Sequence, residues 1–316
     1  MKLRRKLLSA GFALGATALT LTTSTFAWYT SNTSVTTGNV SGVTSTEADT
    51  SSFYIAAAQL YDQANNYAVS TVGSYTNKAT PVLTGTTDKV LTPVSYVDGT
   101  GATNKYLPLN GAEGASVTYG NYSANNIYEW VYRFRTGTAG TAVDLYFKDF
   151  NFTTTLSSDA ETLYALAYGD GTGISGAGAY FADLAKAMKL TIVETPMSDA
   201  STLGSTATTS TYSLAAWASQ ADQNITSANA VGYYNTVLDT SIAKPASYDS
   251  EIAAAKTGTA IKLATIPADS GYVEVRFTLW LDGWDEYCYD ICRFQEFELS
   301  FDVQKDTTNT GFCTAA

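Results

Sequence analysis

A mainly β fold, a jelly-roll-like antiparallel β-sandwich carrying short helices and two large insertions, is what this 316-residue sequence predicts. Composition is the first observation. Charged residues make up 15% and aromatic residues 13%, with 22 Tyr and 13 Phe, and Thr and Ser abound. Little charge with many aromatic and β-branched residues suits strands that carry a hydroxyl-covered outer face. The second observation is period-2 alternation in several separate stretches, which is how a half-buried strand reads. The third is what that alternation means: sheets with one face buried, hence a β-sandwich or jelly roll over a parallel α/β sheet, and no fixed-period repeat is visible.

Taken in order, the chain opens with Lys2, Arg4, Arg5 and Lys6, then an uncharged, largely apolar run from Leu7 to about Leu21, and a small-residue tail at Thr25-Phe26-Ala27. That order of charge, apolar run and small residues is the pattern of an export signal, with cleavage expected between Ala27 and Trp28. A retained anchor is the alternative, because Leu7 to Phe26 has about the 20 residues of a spanning helix. Residues 28–52 are a Thr/Ser-rich segment whose Val35, Val40 and Val43 give it β-propensity but too little apolar content to fold alone. Two readings stand side by side. The segment is either an edge strand after a loose tail or a donor strand, comprising Trp28, Tyr29, Val35, Val40 and Val43, that completes a neighbouring subunit's sheet.

The sandwich is expected over residues 53–316, with insertions at about 71–127 and 197–265. Residues 53–70 read as a strand running into a short helix. Tyr128, Trp130, Tyr132 and Phe134 alternate with Glu129, Val131, Arg133 and Arg135, and after a short connection Val143, Leu145 and Phe147 alternate with Asp144, Tyr146 and Lys148. The connection contains Gly137 and Gly140, which suits a hairpin. Ser158-Asp159-Ala160-Glu161 reads as a capping box opening a helix to about Tyr168. Tyr180–Lys189 has helical spacing, followed by an apolar strand at Leu190–Val193, and shorter helical patches are expected at Ala215–Ala221 and Glu251–Lys256. The strongest strands close the chain. Val273, Val275, Phe277, Leu279 and Leu281 share one face, and so do Phe297, Leu299, Phe301 and Val303. Each sheet is expected to bury one face.

With residues 1–27 removed, 14 basic residues face 29 acidic ones, a formal charge of −15. Nucleic acid is excluded as a partner, because counterion release needs clustered Lys and Arg and none cluster after residue 6. There is no His anywhere in the chain. That removes Ser-His-Asp and Cys-His nucleophiles and the common zinc sites. The three cysteines, Cys288, Cys292 and Cys313, cannot all pair with one another. Cys288–Cys292 is the candidate disulfide, closing a small loop.

Two blocks carry a resemblance. Phe26-Ala27-Trp28-Tyr29-Thr30-Ser31-Asn32, following an apolar signal, resembles the exported TasA/camelysin-like proteins of Gram-positive bacteria. In that group an aromatic-rich block follows the signal and a SipW-type signal peptidase cleaves there. Leu279-Trp280-Leu281-Asp282-Gly283-Trp284-Asp285-Glu286-Tyr287-Cys288 is similar to a block associated with exported proteins having this kind of signal. The resemblance implies a matrix-fibre or cell-surface protein. Camelysin-type proteins have been described as metalloproteases, but this chain has no H-E-x-x-H motif, so that activity is not carried over.

The remaining motifs read structurally. Asp282, Asp285 and Glu286 beside Trp280 and Trp284 could be a carboxylate pair or a calcium site, but a post-strand turn with packed tryptophans explains them as well. The aromatic stripe from Tyr128 to Phe134 could stack sugars, though such a stripe is more often core. The expectation is therefore a secreted, non-enzymatic structural protein without cofactor, located in the extracellular matrix or at the cell surface. Its partners would be copies of itself or related matrix subunits, with signal peptidase acting during export. The alternative is a monomeric secreted module that binds a glycan or cell wall.

Overall fold

The computed structural model describes residues 35–37, 40–42, 53–60, 69–76, 78–82, 91–96, 106–110, 118–121, 123, 126–136, 140–156, 187–214, 252–253, 261–285, 288 and 295–305. In chain order the strands are β1 (Val35–Thr37), β2 (Val40–Gly42), β3 (Phe53–Leu60), β4 (Val69–Val72), β5 (Lys78–Ala79) and β6 (Ser95–Tyr96). Next come β7 (Tyr106–Leu107), β8 (Leu109–Asn110), β9 (Thr118–Tyr119), β10 (Ile127–Thr136), β11 (Val143–Leu156) and β12 (Met188–Pro196). The last are β13 (Thr208–Ser213), β14 (Ile252–Ala253), β15 (Lys262–Ile266), β16 (Tyr272–Leu281) and β17 (Gln295–Gln304).

These strands build a mainly β, largely antiparallel sandwich. One sheet runs β14-β13-β12-β16-β10-β3-β4, and the other runs β15-β11-β17-β2-β5 with β1 also on β17. The alternating apolar residues explain how the two layers meet. Phe277 of β16 lies flat against Trp130 of β10, with centroids 5.2 Å apart, and reaches across to Phe147 and Phe301 of the other sheet at 6.4 and 5.4 Å. Tyr128 meets Phe297 edge-on at 6.0 Å. A bulge in β11 between Lys148 and Asn151 shifts the inward set from Leu145 and Phe147 to Phe150 and Phe152, keeping all four rings and side chains in the core.

The structure corrects four expectations. First, β10 and β11 do not form a hairpin. β10 is flanked by β16 and β3, while β11 lies in the opposite sheet between β15 and β17. The alternation of both strands is as read, but their apolar faces look at each other across the core, so the connection crosses the sandwich. Gly140, at φ 121, lies on that connection. Second, the central strands β10, β12 and β16 of the seven-stranded sheet are buried on both faces. Glu129, Arg133, Lys189, Thr191, Glu274 and Thr278, on their outer side, are each at most 5% exposed. Third, the expected helix after β3 is overridden where it is described, because Val69–Val72 pairs antiparallel with β3. Fourth, Met188 and Lys189 belong to β12, leaving Ala187 as the described helical residue, and Ile252–Ala253 form β14. Ala-rich stretches satisfy a helical spacing easily, and a free strand edge outweighs so weak a preference. The helices expected at Ser158–Tyr168 and Ala215–Ala221 lie outside the described residues.

Both insertion segments feed the sandwich. Leu91, Val94, Tyr96, Tyr106 and Leu109 belong to the same contiguous core as the long strands. Tyr106 covers the outer side by lying 5.4 Å from Trp280. Thr208–Ser213 extends the seven-stranded sheet and Lys262–Ile266 the other one. The turn after β12 is held by Asp199, whose carboxylate accepts the N–H groups of Ser201 and Thr202 and the Ser201 hydroxyl at 2.7–2.8 Å. Those donors stabilise its charged form and hold its pKa at about 2. Between β15 and β16 the chain turns at Gly271, whose φ of 66° and approach to Thr136 leave no room for a side chain.

Candidate functional site

β17 is the strand around which the candidate site is organised. Its alternating Phe297, Leu299, Phe301 and Val303 are all buried, which seats it firmly on the core. Along one edge it pairs antiparallel with β11 over most of its length. Its other edge is taken by the N-terminal segment in two short pieces, both parallel to it. β1 places Val35, Thr36 and Thr37 opposite Phe297, Glu298 and Leu299, and β2 places Ser41 and Gly42 opposite Asp302 and Val303. β2 is backed in turn by β5, with Val40 opposite Ala79 and Ser41 opposite Lys78. Among the described residues β1 has no strand on its far side.

The parallel arrangement has a physical meaning. An antiparallel neighbour can be held by a tight turn, whereas a parallel one has no local connection to its partner. β1 and β2 are therefore held at β17 by a few ladder bonds and by the seat itself. A strand removed from that seat leaves backbone N–H and C=O groups of β17 open along a row that a second extended segment can fill.

No family model, no curated protein and no solved structure matches this chain.

Of the residues singled out from the sequence, Val35 and Val40 thus lie in β1 and β2 on the β17 seat. Ala27, Trp28, Tyr29 and Val43 lie outside the described residues, as does the whole of 1–27. Cys288 is buried in the main core, and its candidate partner Cys292 lies outside the described residues. The sugar-stacking reading of the aromatic stripe loses its ground, since Tyr128, Trp130, Tyr132 and Phe134 are all buried.

The acidic cluster at 282–286 is tied into a turn as far as it is described. Asp282 is 1% exposed and accepts the Trp284 N–H at 3.0 Å. The Trp284 indole donates to the Ser95 hydroxyl at 2.8 Å, and the Trp280 indole donates to Thr191 at 3.1 Å. Asp285 takes a charge-assisted hydrogen bond of 2.6 Å from Lys189 Nζ. Glu286 lies outside the described residues. Among the described residues, no group of three or more Cys, Asp or Glu is placed to hold a metal ion.

Sequence reasoning missed the charged layer on the outer side of the seven-stranded sheet. Arg133 Nε donates to Glu274 at 2.8 Å, Arg276 approaches the other oxygen of the same carboxylate at 3.4 Å, and Arg133 also donates to the Ala200 carbonyl at 3.3 Å. One step along the same face, the Arg135 guanidinium lies 5.1 Å from the ring centres of both Tyr54 and Tyr75. The signal was present as Arg133, Arg135 and Glu274 at alternate positions of two strands. Only their register, Arg133 opposite Glu274, turns it into an ion pair.

Proposed function

We propose that this chain is a secreted structural protein of the cell surface or extracellular matrix, a fibre-forming or fibre-associated subunit that assembles by β-strand addition. Its resemblance to TasA/camelysin-like proteins and a jelly-roll-like connectivity are part of that reading. The observation that carries it is the parallel seating of Val35–Thr37 and Val40–Gly42 on β17, in an otherwise antiparallel sheet. An identical segment from a second copy can make the same ladder in the same seat. Exchange of that kind costs little, because the bonds given up and the bonds gained are equivalent.

The alternative, a monomeric module that binds glycan or cell wall, has no exposed aromatic platform among the described strands to favour it.

Electron microscopy of purified Trp28–Ala316 at neutral and mildly acidic pH tests the proposal. Filaments are expected, and deleting Trp28–Val43 should abolish them, while a synthetic peptide of that segment added in trans restores a stable, non-polymerising complex. Dispersed monomers under both conditions would sink the reading. The formal charge of −15 on residues 28–316 opposes association. Asp and Glu take up protons as the pH nears about 4, so assembly should then be favoured. Turbidity is expected to rise on acidification from neutral pH, and an unchanged signal would contradict this charge argument.

A further inference from the structure

We propose that Lys189 and Asp285 are the partners of an autocatalytic amide cross-link, a covalent bond between two side chains of this chain. The inference is independent of the assembly reading. It starts from the burial of the lysine. Lys189 is 3% exposed, its side chain 4%, although lysine side chains normally keep the ammonium in water. Its Nζ lies 2.6 Å from Asp285 Oδ2, on the turn that leaves β16.

The fold holds this pair from both sides. Lys189 is opposite Trp280 in the β12–β16 ladder, and the Asp282 N–H continues the ladder by donating to the Ala187 carbonyl at 3.0 Å. Asp282 lies one residue past the end of β16 and two after Trp280, so continuing the ladder's alternation puts it on the same side of the sheet as Lys189. Asp282 is 1% exposed. The Asp285 N–H then donates to the Asp282 carbonyl at 3.3 Å, folding the turn so that the Asp285 carboxyl comes back over Lys189. A buried amine, a carboxyl in contact with it and a second buried carboxyl on the same side form the set that amide formation needs. Trp280, opposite Lys189 in the ladder, is 1% exposed, while the Asp285 side chain keeps 18% exposure.

The chemistry balances without any co-reactant. A proton passing from Nζ to Oδ2 along the hydrogen bond turns the ion pair into an amine and a carboxylic acid. The nitrogen lone pair attacks Asp285 Cγ. In the proposed reaction the Asp282 carboxyl takes a proton from nitrogen and delivers one to the departing oxygen. The Nζ–Cγ bond forms, the Cγ–OH bond breaks, and one water leaves. Fixed apposition of amine and acyl carbon replaces the activation that amide formation requires in solution. The product ties β12 to the turn after β16 and closes the intervening chain into a covalent loop.

Peptide mapping of the full chain by mass spectrometry decides the matter. The expected result is a branched tryptic species joining the peptide that contains Lys189 to Phe277–Arg293, lighter than the sum of the two by one water, with no cleavage after Lys189. In Asp285→Asn the same amide forms with loss of ammonia in place of water. Asp282→Asn slows the reaction, so that unlinked and linked chains are both seen after purification. Cleavage after Lys189 in the wild-type chain, with both peptides at their unmodified masses, overturns the proposal. Because the wild-type measurement is decisive by itself, no variant has to fold for the test to stand.

Discussion

Phe277→Ala is expected to lower the unfolding free energy by about 3–5 kcal/mol, the range found for large aromatic-to-alanine changes in cores. Phe277 is fully buried and touches both layers, stacking on Trp130, meeting Tyr132 at 6.0 Å and packing against Phe147 and Phe301. Removing the ring leaves a void lined by four other rings. Those rings stand on strands paired on both sides, so they have little freedom to close in. Chemical denaturation followed by tryptophan fluorescence measures the loss. Val72→Ala serves as a comparison, because Val72 is 36% exposed and its truncation should change stability by less than about 0.5 kcal/mol. Equal effects at the two positions would mean that Phe277 is not the bridge between the layers.

Glu274→Ala should be comparably severe, at about 3–5 kcal/mol, for a different reason. Glu274 is 2% exposed and its two carboxylate oxygens face Arg133 and Arg276. Its loss leaves the Arg133 guanidinium buried with the Ala200 carbonyl but without its counter-charge. The double variant Arg133→Met/Glu274→Leu separates charge from packing. It removes both charges and fills the space with apolar atoms, and it should recover most of the lost stability. A double variant as unstable as Glu274→Ala would show that the damage comes from shape and not from a stranded charge.

Much of the sandwich was legible along the chain. The faces of β10, β16 and β17 were read correctly from alternation alone, because side chains on a strand point to opposite sides and only one set of residues, such as Val273 to Leu281, is uniformly apolar. The same reasoning failed at the outer face. Glu129, Arg133 and Glu274 look like solvent-facing positions, and nothing local announces that Tyr106 and the turn at Asp199 cover them. The hairpin drawn between β10 and β11 failed for a related reason. A short glycine-containing connection suits a hairpin and a crossing between layers equally well. At the candidate site, Val35 and Val40 marked a β-prone segment, but a Val/Thr strand carries no mark of its partner. The Lys189–Asp285 contact was invisible, since the two residues stand far apart in the chain and each has an ordinary local explanation.

By itself, then, the sequence determined that this protein is built largely of antiparallel sheets and which side of the long strands turns inward. Those properties depend on neighbours one or two positions away. Tertiary structure alone decided that β17 accepts the N-terminal segment in parallel, that β10 and β11 face each other across the core, and that Arg133 meets Glu274. Edge pairing runs through backbone groups that every residue has, so it is settled by how the layers pack and not by any local pattern.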